Sequence, residues 1–177
     1  MNYIESKALE LISNLNANTA PIPIKKIVKQ LGVELKPFNL GSEVSGVCVI
    51  ENNNARIGYN PTESEGRQRF TIAHELGHFI LGHNKNANDL FVDNVKVMFR
   101  RNGSTTKELK QEREANIFAA SILMPENLIQ KEYETLEKKD NFLTDDKIVQ
   151  ELASLFKVSQ IAMTYRLINL GYMHNNF

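Results

Sequence analysis

The chain predicts an α+β fold, and two observations carry that prediction. Apolar side chains recur at helical spacing near the start and through most of the second half, whereas residues 33–60 break into short β-leaning pieces separated by Gly, Ser and an ENNN turn. Residues 1–19 set Ile4, Ala8, Leu11, Ile12 and Leu15 on one helical stripe. The segment PIPIKKIVKQLG, 21–32, repeats the form, with proline near its start and glycine after its end. Val33–Phe38, Gly46–Ile50 and Ala55–Tyr59 then read as a small antiparallel sheet.

Helix returns after Pro61. Thr62 with Glu65 forms a capping-box pattern, and the helical texture runs to about Leu81, before Gly82. A short strand is expected within Val95–Arg100. Thr105 with Glu108 opens a helix that reaches about Leu123, and an amphipathic helix covers Pro125–Lys138. The end of the chain holds two more, Asp145–Phe156 and Gln160–Leu170, the second capped by Ser159 and stopped by Gly171. The KKDN turn at 138–141 is the nearest thing to a boundary. It divides a core, 1–138, from a helical tail, 139–177, packed on that core.

Composition excludes several classes of function. The 177 residues are enough to bury a core without covalent staples, and one cysteine makes no disulfide framework. The 21 basic and 21 acidic side chains balance, so bulk attraction to nucleic acid or anionic lipid is not expected. No apolar run approaches the roughly 20 residues of a bilayer span, and the amino terminus lacks the pattern of a secretion signal. A cytoplasmic protein with no membrane partner is the expectation.

The chemistry concentrates in RQRFTIAHELGHFILGH, 67–83. On a helix, His74 and His78 project about 40° apart and one turn along, a spacing at which two neutral imidazoles chelate one Zn²⁺. Glu75 stands on the edge of that face, within reach of a water polarised by the metal without being a ligand. This is a zincin-like arrangement. Gly77 interrupts the helix at a cost of about 1 kcal/mol relative to alanine, which makes sense if another backbone passes close by.

A third protein ligand is required. On a continuing helix His83 would point about 140° away from His78, so a capping or rim position suits it better. The segment QEREANIFAASILMP, 111–125, offers a carboxylate instead. Glu112, Asn116, Ala119 and Leu123 share one face, whose small residues permit close approach to the histidine helix. Glu112 is favoured as the ligand and Glu114, about 200° around, is its competitor. Asn116, one turn beyond Glu112, is placed to hold a ligand imidazole by its other ring nitrogen.

These two segments, with SGVCVI and ARIGYN before them and LASLFKVSQIAMTYRLINLGY after, resemble the ImmA/IrrE family of bacterial zinc metallopeptidases. The resemblance implies that His74, His78 and Glu112 bind one catalytic zinc ion and that Glu75 is the catalytic base. It also implies a substrate: a helix-turn-helix transcriptional repressor, cleaved to release stress, prophage or mobile-element genes. Two rival readings are an anti-repressor that binds without cutting and a DNA-binding regulator with structural zinc. The tail has the texture of a helix-turn-helix, yet Arg166, Lys147 and Lys157 face Asp145, Asp146 and Glu151, so direct binding of nucleic acid is not expected. Arg67 and Arg69 read as partners of Glu63 and Glu65 on a solvated face, with binding of a substrate carboxyl or backbone carbonyl near the cleft as the alternative. Tyr59, Tyr133, Tyr165 and His83 are candidates to stabilise an oxyanion. Cys48 reads as a small core residue, with a zinc latch as the sharper alternative.

Overall fold

In the computed structural model, which describes residues 3–39, 44–51, 54–83, 90–94, 106–139 and 143–174, the first two helical stripes become α1 (Tyr3–Asn14) and α2 (Ile24–Gln30). The β-leaning pieces form β1 (Glu34–Pro37), β2 (Val44–Glu51) and β3 (Asn54–Tyr59), and β4 (Leu90–Asn94) completes a sheet of order β1-β3-β2-β4. This sheet is mixed, which corrects the antiparallel expectation. β2 runs antiparallel to both β3 and β4, but β1 lies parallel to β3, pairing Glu34 with Arg56 and Pro37 with Tyr59. The cause is topological: strand direction reverses from β1 to β2 and again from β2 to β3, so β1, on the outer edge of β3, runs parallel to it. Pro37 is tolerated there because an edge strand leaves one side of its backbone unpaired. The stretch Val95–Arg100, expected to form a strand, lies outside the described residues.

At the centre stands α3 (Glu65–Ile80). Its start corrects the expected cap. Thr62 donates its N–H and hydroxyl to Asn60 Oδ1 (3.0 and 2.8 Å), while Ser64 Oγ accepts the Arg67 N–H at 3.4 Å and begins the helix. Every residue from Thr71 to His78 is buried, because β2 and β3 pack on one side of α3 and α4 (Thr106–Leu123) on another. Two glycines permit the approach. A Cβ on Gly77 would stand 3.1 Å from Phe118 Cδ1 and 3.3 Å from the Ala115 Cα, so the backbone of α4 is the close neighbour anticipated for this position. A Cβ on Gly46 in β2 would collide with Thr71 Cγ2. The cap expected at Thr105 lies outside the described residues.

Helices α5 (Glu126–Lys139), α6 (Asp145–Phe156) and α7 (Gln160–Asn169) follow. Lys157, at φ 53°, makes the tight turn between the last two, and Ser159 Oγ accepts the Ala162 N–H at 3.2 Å to start α7. These helices send Leu152, Phe156, Met163 and Leu167 into the same apolar cluster as Ile72, Leu76 and Phe118. Polar links reinforce the junction. Arg69 donates to the carbonyls of Ile22 (2.9 Å) and Phe156 (3.4 Å), Lys157 pairs with Glu65 (3.0 Å), and Arg166 donates to Met124 O (3.0 Å) and pairs with Glu5 (2.7 Å). Arg69 is therefore a buried stitch rather than the partner of Glu65. Arg67 does pair with Glu63, at 3.7 Å, and also donates to Ser45 Oγ at 2.9 Å. Among the described residues no helix is long and apolar enough to cross a membrane.

Candidate metal centre

The helix α3 delivers His74 and His78 to one point, and α4 delivers Glu112 to the same point. The two Nε2 atoms lie 3.1 Å apart, and each lies 3.4 Å from a Glu112 carboxylate oxygen. Donors held about 2.0–2.1 Å from a tetrahedral Zn²⁺ stand about 3.3 Å from one another, so the observed separations fit such an ion. The chemistry of the set agrees. Asn116 Oδ1 lies 3.0 Å from His74 Nδ1 and can only accept, so that nitrogen carries the proton and Nε2 presents a bare lone pair. Two lone pairs and a carboxylate facing one another repel unless a cation lies between them. Among the described residues, this is the grouping of His, Cys, Asp and Glu able to hold a metal. Cys48 is fully buried in the core and is not part of it.

Glu75 is 1% exposed and points toward the sheet, its Oε1 about where a Cβ on Gly46 would press at 3.2 Å. Glu112, with 34% of its side chain exposed, forms the open side of the cluster. His83 does not follow the helix. After Leu81 the chain turns at Gly82 (φ 67°), with Gly82 N–H bonded to Phe79 O (3.2 Å) and His83 N–H to His78 O (3.0 Å). This Schellman turn folds His83 back, so that its Nδ1 meets His78 Nδ1 at 3.0 Å and its Nε2 meets Glu114 Oε2 at 3.1 Å. The two competing glutamates of α4 thus have separate partners. Of the four oxyanion candidates, His83 is committed to His78, Tyr59 takes a bond from Lys25 Nζ (3.3 Å), Tyr133 packs against Tyr172 with the rings tilted, and Tyr165 is exposed.

Burial, and after it the neighbouring His74, pushes the His78 imidazole down to about 3, so it is neutral at pH 7 and needs no deprotonation to ligate. Because this lies below the ordinary value of 6.5, the unfolded chain takes the proton first. Stability from this group is complete above about pH 6.5 and is lost as pH falls toward about 3. Metal-free protein should therefore melt at lower temperature at pH 5 than at pH 7, and His78→Gln should flatten that difference. An unchanged slope in the variant would contradict the burial of a neutral imidazole here.

The family model of peptidase M78, described as the IrrE N-terminal-like domain, matches residues 28–168. The chain belongs to this family. The match includes His74, Glu75, His78, Glu112 and Asn116, so the whole candidate centre of this M78 member falls within it. "Uncharacterized immunity region protein 2" of Bacillus phage phi105 is 26% identical over 136 residues, covering 77% of this chain and 80% of the phage protein. A solved Mycobacterium tuberculosis transcriptional regulator superposes with a TM-score of 0.64 at 14% identity, over 95% of this chain and 47% of that one. That likeness shows the fold alone, and the chain spans about half of that structure's length. The α+β fold of the M78 member also carries a groove of about 1310 Å³ beside the centre. Phe70 and Asn116, both of which touch His74, line it together with Ile161 and Tyr165 of α7.

Proposed function

We propose that this M78 family member is a cytoplasmic zinc endopeptidase that cleaves a helix-turn-helix repressor and so relieves repression of stress, prophage or mobile-element genes. The observation that carries the reading is the convergence of two imidazole nitrogens and one carboxylate at separations suited to a single Zn²⁺, with Glu75 next to the first histidine. The roles assigned are His74, His78 and Glu112 as ligands, Glu75 as base and Asn116 as the partner that orients His74. Zinc bound there supplies a Lewis acid for the scissile carbonyl and makes water a stronger nucleophile at neutral pH. Glu75 takes the proton from the attacking water and returns it to the leaving amine.

The division into a peptidase core, 1–138, and a tail, 139–177, goes with this reading. The groove between α3, α4 and α7 reaches Phe70 and Asn116 beside His74, and exposed Ile161 and Tyr165 along it offer apolar contact that would suit a substrate chain. Arg166, the basic residue of α7, is buried against Met124 O and Glu5, which speaks against α7 as a DNA-reading helix. The phage relative is named for an immunity region, which suits a role in prophage control. The test is to incubate the zinc-loaded protein with a candidate helix-turn-helix repressor and weigh the products. Two fragments from one bond are expected. An intact repressor held in a stable complex would favour the anti-repressor that binds without cutting.

A further inference from the structure

Beyond the ligands, the centre contains a chain of polar contacts whose direction can be worked out proton by proton. It begins at Glu114, whose carboxylate oxygens accept. His83 Nε2 lies 3.1 Å from Glu114 Oε2 and so must carry a hydrogen. In a neutral imidazole the other nitrogen is then bare, so His83 Nδ1 is an acceptor. It faces His78 Nδ1 at 3.0 Å, and that nitrogen must therefore be the donor. His78 Nε2 is left with a lone pair, directed at His74 Nε2 and Glu112. Each hydrogen has one place to go, and the last nitrogen in the series is the one a metal needs.

We propose that His83 and Glu114 are positioning residues that fix the tautomer and ring orientation of His78 as a metal ligand. The inference rests on the metal reading above and extends it outward by two residues. The two histidine ligands are thus held by different devices. His74 leans on a neutral amide, Asn116 Oδ1 at 3.0 Å, whereas His78 leans on an imidazole backed by a carboxylate. The carboxylate polarises His83, which in turn accepts more strongly from His78 and makes its Nε2 the more basic donor. The geometry depends on the turn at Gly82, since only a reversal there returns His83 to the ring it follows by five residues. Lys110 Nζ, 3.7 Å from the other Glu114 oxygen, sits at the solvent end of the series.

The experiment is a chelator-competition titration with Zn²⁺ alone, run on wild type, His83→Ala, His83→Gln, Glu114→Ala and the double variant His83→Ala/Glu114→Ala. Loss of an outer partner of this kind typically weakens metal binding by about 10- to 100-fold. His83→Ala is expected in that range, Glu114→Ala nearer its lower end. The double variant should lose no more than His83→Ala, because Glu114 acts through His83. Glutamine at 83 offers a carbonyl oxygen in place of Nδ1 and should recover part of the affinity, a rescue that a purely structural role would not produce. The absorption of bound Co²⁺ should shift in His83→Ala and return toward wild type in His83→Gln. Glu114→Ala changes a partly exposed side chain, so the proposal can be tested even if His83→Ala folds poorly. Wild-type affinity in both single variants would overturn it, as would losses that multiply in the double variant. Glu112→Ala in the same titration separates the two readings. If wild type binds zinc and Glu112→Ala binds it about a hundredfold more weakly, the metal centre stands whatever His83 does. If wild type binds none, the metal reading itself fails.

Discussion

Glu75→Gln should abolish cleavage and leave zinc in place. The substitution keeps the size and one oxygen of the side chain but removes its ability to take and return a proton. Positioned general acid–base groups contribute about 10²- to 10⁴-fold, and a peptide bond offers no easy alternative route. Glu75 is 1% exposed and packed against Gly46, so the isosteric amide keeps the packing. Metal content per chain, measured on the same preparation that is assayed for fragments, separates the two effects. Turnover at the wild-type rate in this variant would remove Glu75 from the mechanism.

Glu112→Ala should have the second large effect, on the metal. Zinc bound through a full set of ligands is worth roughly 12 kcal/mol, so losing one of four donors costs about 3 kcal/mol, or about a hundredfold in affinity. The 34% exposure of the Glu112 side chain makes the fold insensitive to its removal, which leaves the melting temperature of the metal-free protein as a control. Glu114→Ala, two residues away, should cost less, because Glu114 touches His83 rather than the cluster. Equal losses in the two variants would mean that α4 presents a different face to the metal.

Much of this centre was legible because helix geometry is local. The four-residue spacing of His74 and His78, and the same spacing of Glu112 and Asn116, fixes which side chains share a face before any tertiary contact is known. Gly77 betrayed the close passage of a second helix for the same reason. What could not be read depends on where the chain goes after a helix ends. His83 looked like a residue pointing away, because the extrapolation continued α3 through Gly82, whereas the left-handed turn there brings His83 back to His78. Glycine immediately before a histidine, at the end of a helix that carries ligands, was the available signal. The parallel pairing of β1 with β3 was hidden likewise, since strand texture records alternation and not partner. Arg69 and Arg166 looked like surface charges because their acceptors, Ile22 O, Phe156 O and Met124 O, are backbone atoms distant in the sequence.

The most direct test of the whole account is a metal add-back. Protein stripped by a chelator, then mixed with a candidate helix-turn-helix repressor, should leave it intact. One equivalent of Zn²⁺ should restore cleavage at a single bond, with the ion held as tightly by Glu75→Gln as by wild type and about a hundredfold more weakly by Glu112→Ala. Cleavage that proceeds undiminished in the stripped protein would contradict the account, and so would an intact repressor when the cluster is saturated with zinc.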